Sequence, residues 1–141
     1  MQRRRLCTAL TLAIWVGVCP ALQAQALDSA AVQAAAQAWL QQVDSGNPLA
    51  SWQTAAAPFR TAVTAAQWQL ATQAVRSPLG LLKSRKDKSI QFTRSLPGAP
   101  DGQYAVLQFD TAFENKSEAV ETLTAVLEAD GVWRVTGYFI R

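Results

Sequence analysis

No histidine occurs in the 141 residues, and the only two cysteines, Cys7 and Cys19, lie in the first nineteen. Each absence closes off a chemistry. Without histidine the chain lacks the side chain that most often moves protons near neutrality, and the commonest metal ligand. With cysteine confined to the N-terminus, the remainder holds no disulfide, no thiol nucleophile and no zinc site of the ordinary kinds. There is no glycine-rich phosphate loop, no G-x-S-x-G and no EF-hand pattern. No cofactor and no metal is expected. An enzyme made from this chain has to work with carboxylates, tyrosines or arginines.

What is present begins with a leader. Met1–Arg5 carries Arg3, Arg4 and Arg5, Leu6–Cys19 is uncharged and mostly apolar, and Ala24-Gln25-Ala26 places small residues two apart. A charged start, an apolar run and an A-x-A site make a secretory signal peptide. Residues 1–26 are therefore expected to be removed after Ala26, with Ala24 as the alternative. The apolar run is short of the ~20 residues of a membrane span. Three arginines leave with the leader, so ten basic residues face ten acidic ones over 27–141. The high sequence pI then says nothing about nucleic acid, which is not an expected partner. The protein is expected in the periplasm or secreted.

Residues 27–141 are long enough to bury a core as a single domain. Asp28 or Ser29 offers a helix cap, and Val32, Ala35, Ala36, Trp39, Leu40 and Val43 follow as one helical stripe ending near Gly46. Asn47-Pro48 opens a second short helix with Leu49, Trp52 and Ala56 inward and Pro58 as its stop. Thr64-x-x-Gln67 is a capping box for a third helix, with Trp68, Ala71 and Val75 inward until Ser77-Pro78. Each helix thus brings one tryptophan to its apolar face, and core packing is the expected role.

From Lys83 the pattern turns to period two. Ile90 and Phe92 mark one strand. Tyr104–Phe113 alternates most clearly, with Ala105, Leu107, Phe109, Thr111 and Phe113 on one face. Leu96–Gly102, with two prolines and two glycines, separates the two. Glu118–Glu128 puts Ala119, Glu121, Leu123, Ala125 and Leu127 on one parity. Asp130-Gly131 is a tight turn into Val132–Ile140, where Trp133, Val135, Gly137 and Phe139 share a parity and Gly137 suggests a bulge. The expected fold is α+β: three N-terminal helices packed on a curved four-stranded antiparallel sheet. Its layout is similar to the cone of nuclear-transport-factor-2-like folds.

Glu121 is the leading site candidate, because a carboxylate on an apolar face has to be paired, hydrogen-bonded or neutral. Arg85 or Arg76 is the expected partner in a structural pair. In a functional reading, Glu121 moves a proton or anchors a ligand, with Tyr104 or Tyr138 donating to an oxyanion. Asp110 falls on the polar parity. Lys83–Lys88 reads as a charged strand edge protected from pairing. Asn115-Lys116-Ser117 forms a glycosylation sequon by coincidence.

Several segments together resemble a known bacterial secreted family, domain of unknown function 4019. They are Ala38-Trp39-Leu40, Val43–Gly46, Ser51-Trp52, Gln67-Trp68, Arg76–Gly80, Ser84-Arg85, Leu96–Tyr104, Phe113–Lys116, Glu121-Thr122 and Gly131–Ile140. The resemblance implies an exported helix-plus-sheet domain and brings no activity or catalytic residue with it. The sequence therefore points to a non-catalytic periplasmic binding or interaction module. Its partner is a small apolar ligand or an envelope protein, and the open sheet edges leave a homodimer possible. The alternative is an isomerase- or lyase-like enzyme using Glu121 with a tyrosine in a pocket of the cone.

Overall fold

The computed structural model describes residues 20–141. Four helices precede four strands: α1 (Pro20–Asp44), α2 (Pro48–Thr54), α3 (Ala57–Ala62), α4 (Ala65–Leu79), β1 (Leu82–Thr93), β2 (Tyr104–Phe113), β3 (Lys116–Leu127) and β4 (Trp133–Ile140). The strands form an antiparallel sheet in chain order, β1-β2-β3-β4. The α+β class is as expected, but the helices among the described residues number four rather than three.

The expected leader falls mostly outside the described residues. Its two expected cleavage bonds, after Ala24 and after Ala26, fall inside α1, which starts at Pro20 rather than at a cap on Asp28 or Ser29. Residues 21–27 are alanine, leucine and glutamine, good helix formers with no breaker, so the helix extends through them. Further along, Val32, Ala36, Trp39, Leu40 and Val43 are buried. They pack on one face of the sheet, against Ala105, Leu107 and Phe109 of β2, Leu123 and Ala125 of β3, and Trp133 and Val135 of β4.

The three helical tryptophans enter this core, and their indole N–H groups explain the short helices. Trp39 Nε1 donates to the Ser51 carbonyl at 2.8 Å and Trp68 Nε1 to the Ser51 hydroxyl at 2.9 Å. Trp52 Nε1 donates to the Val63 carbonyl at 2.7 Å. Buried indoles need acceptors. Ser51 therefore takes the fully buried place on α2 that an apolar pattern assigns to Leu49, and Leu49 is exposed. The cap of α2 is as expected: the Asn47 side chain accepts from the Ala50 amide. Pro58 does not stop α2. It sits in the first turn of α3, where a missing N–H leaves nothing unpaired. The break comes at Ala56, whose amide donates to the Val135 carbonyl on β4.

Helix α4 starts with the expected capping box of Thr64 and Gln67. Its inward face differs from expectation. Trp68 and Thr72 are buried, with Arg76 next on the same stripe, while Ala71 and Val75 are exposed. The helix also runs through Pro78 to Leu79. Asn115, in the β2–β3 turn, supplies the reason. Its side-chain amide donates to the Pro78 carbonyl and its backbone amide to the Leu79 carbonyl, satisfying the last turn. Gly80 follows at φ +73, and a Cβ there would lie 2.9 Å from Glu114 Cβ.

Gly80→Ala is expected to destabilise the protein by about 1–3 kcal/mol, since both the backbone angle and the close approach exclude a side chain. Urea unfolding measures this, and an unchanged midpoint would refute it. Ser51→Ala removes the acceptor of the Trp68 indole and is expected to cost about 1–3 kcal/mol in the same assay.

Candidate functional site

Three irregularities in the sheet decide which polar groups reach its covered face. In β1 the register shifts once between Leu82 and Ser84 and again between Asp87 and Ser89, making Lys83 and Lys88 the extra residues. Counting back by twos from Ile90 would turn Lys88, Lys86 and Ser84 towards the core. The bulge at Lys88 reverses this, and Arg85 comes to lie opposite Thr111 on the covered face. In β4 the shift falls between Val135 and Gly137, so Thr136 is extra. Beyond it, Tyr138 pairs with Leu123 and Ile140 with Glu121, while Phe139 turns outward and is 51% exposed. The bend expected at Gly137 is present. It also swaps the parity of the strand, and that correction brings Tyr138 inward in place of Phe139.

Glu121 on β3 is 0% exposed. Its Oε2 accepts from Arg85 Nε at 2.5 Å and from the Thr111 hydroxyl at 2.7 Å. Its Oε1 accepts from Arg85 Nη2 at 3.0 Å and from the Tyr138 hydroxyl at 2.5 Å. A carboxylate has about four lone-pair sites, and here each oxygen accepts twice. All four strands contribute one residue: Arg85, Thr111, Glu121 and Tyr138. Arg85 then turns its other edge to Asp44, the last residue of α1. Nη1 donates to Oδ2 at 2.7 Å and Nη2 to Oδ1 at 3.1 Å. Asp44 Oδ1 also accepts from Arg76 Nη2 on α4 at 2.8 Å. The result is a chain of alternating charge, Glu121–Arg85–Asp44–Arg76, with no net charge.

The two ends of this chain differ. At the Glu121 end the acceptors are filled. At the other end Arg76 makes one hydrogen bond, to Asp44, and lays its guanidinium over the Phe113 ring at 4.9 Å. Its Nε and Nη1 are buried without a partner among the described residues, and so is the hydroxyl of Thr72 one turn earlier. These are the buried side-chain polar atoms left unpaired among the described residues.

Both expected partners of a structural carboxylate are thus in the network. Arg85 binds Glu121 directly, and Arg76 reaches it only through Asp44 and Arg85. Tyr138 joins Glu121, but Tyr104 does not. Tyr104 lies at the far end of β2, where its hydroxyl donates to the Pro100 carbonyl at 2.7 Å and it lines a separate cleft of about 430 Å³ with Phe92 and Trp133. Asp110 is exposed and paired with Lys88. The basic run Lys83–Lys88 lies on edge strand β1, as expected, with Arg85 as its inward exception. Sequence reading missed Asp44, Thr72 and Thr111. The usable signal was Thr111, a polar residue on the apolar parity of β2 directly diagonal to Glu121. Among the described residues no group of three or more carboxylate, histidine or cysteine side chains is arranged to hold a metal, and no helix is long and apolar enough to cross a membrane.

Burial opposes the charge on Asp44, but the hydrogen bonds from Arg85 and then Arg76 outweigh it and hold the carboxyl below its ordinary value near 3.8. Tyr138 is pushed above its ordinary value of 10.0, first by burial, then by the Glu121 charge and the hydrogen bond between them. A lowered Asp44 stabilises the fold fully above pH ~4 and loses that contribution as pH falls through its folded value. A raised Tyr138 stabilises below pH ~10 and loses that contribution as pH rises beyond it. Stability should therefore plateau between those limits. Asp44→Asn should flatten the acid limb and Tyr138→Phe the alkaline limb, in urea unfolding measured across pH; limbs unchanged in both variants would contradict the assignment. Arg85→Met leaves Glu121 as a buried charge without its cation and should cost about 3–5 kcal/mol. Adding Glu121→Leu to it should recover at least half of the loss, since an apolar pair can replace a buried ion pair. Equal losses in the single and double variants would refute the pairing.

No curated protein and no solved structure matches the chain significantly. A family model does: Protein of unknown function (DUF4019), over residues 35–138. That span takes in α1 from Ala35 onward, the other three helices and the sheet through Tyr138. Every member of the network from Asp44 to Tyr138 falls within it, and the chain belongs to this family of proteins of unknown function.

Proposed function

We propose that the chain is an exported, non-catalytic binding or interaction module, with a helix-covered curved sheet similar to the nuclear-transport-factor-2-like cone. The observation that supports it is the saturation of Glu121. The isomerase- or lyase-like alternative finds its carboxylate and its tyrosine side by side, but Tyr138 spends its proton on Glu121 itself. All four acceptor sites of the carboxylate are occupied and none of its surface meets solvent. A general base has to reach the proton it removes. Here substrate contact would first require breaking bonds to Arg85, Thr111 or Tyr138. The register shifts in β1 and β4, which bend the strands they interrupt, support the cone comparison.

Two measurements test the reading. Expression of the full chain in a Gram-negative host should give periplasmic protein beginning at Leu27, or at Gln25 for the alternative bond; cytoplasmic protein with an intact N-terminus would overturn export. Proton exchange at the α-carbon of a cyclic enone, followed by NMR in D₂O, should proceed at the same rate with the protein, with its Glu121→Gln variant and with buffer. Acceleration that vanishes in Glu121→Gln would establish the enzyme instead. For a binding module, a thermal-shift screen of small amphipathic compounds should yield ligands that raise Tm, because a ligand at 100 times its Kd adds about 2.7 kcal/mol.

A further inference from the structure

The sheet has two outer strands, and their free edges differ. An edge strand offers unpaired N–H and C=O groups to any second strand, and lysines and bulges are common guards against it. Both guards are present on β1, which carries Lys83, Lys86 and Lys88 and breaks its register twice. On β4 nothing from Val135 to Ile140 is charged. Val120 and Arg141 exchange both backbone bonds. Opposed residues alternate between bonded and unbonded pairs along an antiparallel ladder. Ile140 and Tyr138, opposite Glu121 and Leu123, therefore turn their N–H and C=O away from β3. These groups have no partner among the described residues. The Val135 carbonyl, by contrast, accepts from the Ala56 amide, which closes the edge at that end. Unpaired backbone groups are rarely buried away from water, and between these two residues Phe139 is 51% exposed. Between α4 and this edge lies an apolar cleft of about 190 Å³, bordered by Ala71, Val75, Tyr138 and Ile140.

We propose that two copies of the chain join through this edge, β4 against β4 in antiparallel order, about a two-fold axis at Phe139. The contact goes beyond the module reading and needs no ligand. Register selects the partner. A second β4 centred on Phe139 sets Tyr138 of each copy opposite Ile140 of the other, and so pairs every backbone group left open beyond Val135. Phe139 then meets its own copy in the closer, unbonded position, where each exposed ring covers the other. Opposed side chains share a face. Ile140 of each copy therefore comes to lie beside Tyr138 of the other on the α4 side, at the apolar cleft. Arg141 falls opposite Gly137, which has no side chain, so no like charges meet. A two-fold contact requires a surface complementary to itself. This stretch is uncharged, and its donors and acceptors match in reverse order.

Sedimentation velocity of the purified protein, from about 1 μM to about 1 mM, should show a monomer–dimer equilibrium with a micromolar Kd, as suits a small interface. A monomer at every concentration would overturn the proposal. Phe139→Lys and Phe139→Asp each put like charges on the axis and remove the aromatic pair. Each is expected to keep the fold, since the residue is exposed, and to weaken the dimer at least about tenfold. Mixing the two variants brings opposite charges together on the axis, and the dimer should return. A dimer that survives in both variants, or a mixture that stays monomeric, would refute the β4 edge. Should either variant fail to fold, the unaltered protein decides by amide hydrogen exchange. The Tyr138 and Ile140 amides should exchange at least about tenfold faster in the dilute protein than in the concentrated one. Equal rates would refute the pairing. If the protein is monomeric while compounds in the thermal-shift screen raise Tm, the dimer falls and the ligand-binding reading stands. A dimer with an empty screen keeps the edge and removes the small ligand.

Discussion

The structure depends on satisfying one carboxylate, Glu121, where no water reaches it. An unpaired ion in such a place costs several kcal/mol even after the protein relaxes. Glu121 avoids that cost only because a guanidinium and two hydroxyls arrive from three other strands. Arg85 in turn has a second edge to satisfy, and Asp44 at the end of α1 does so. Asp44 then draws Arg76 of α4 inward. The ion chain thereby joins the sheet to two helices, in directions that apolar packing alone would leave loose. Replacement of a buried ion pair by hydrocarbon is often neutral or stabilising, so the value of this network lies in specifying one arrangement.

The bulges make that arrangement possible. A strand with strict alternation places every second residue on the core face, and a single inserted residue reverses the rest. Lys88 and Thr136 are such insertions, and without them Arg85 and Tyr138 would point away from Glu121. The same insertion that brings Tyr138 against Trp39, with ring centroids 5.3 Å apart, turns Phe139 to the opposite face. Aromatic packing and the polar network thus share one cause. Trp39 and Trp68, at 5.7 Å, and Phe59 edge-on to Trp68 at 5.1 Å continue the aromatic cluster into the helices.

Polarity also sets the rotation of the helices. An apolar reading of α4 chose Trp68, Ala71 and Val75, and the structure buries Trp68 and Thr72 with Arg76 beyond them. On α2 it chose Leu49, and the structure buries Ser51. In both helices a hydrogen-bonding requirement shifted the inward stripe: an acceptor for two indoles at Ser51, and a partner for Asp44 at Arg76. Hydrophobic periodicity registers which residues avoid water. It does not register which polar residues are needed inside.

Local pattern alone determined much of this protein. The α1 stripe, the Asn47 and Thr64 caps, the alternation in β2 and β3, the α+β order and the family follow from residues near one another in the chain, because propensity, capping and period are short-range properties. The choice of Glu121 as the residue to explain was legible for the same reason, as a charge on an apolar parity. Only the tertiary structure decided that Arg85 rather than Arg76 meets it, that Tyr138 rather than Tyr104 joins it, and that Asp44 links it to α4. Those choices depend on where bulges fall and on how helix ends meet strand ends. Both are settled by pairing across 36 residues from Arg85 to Glu121 and 41 from Asp44 to Arg85, a range over which no local pattern carries information.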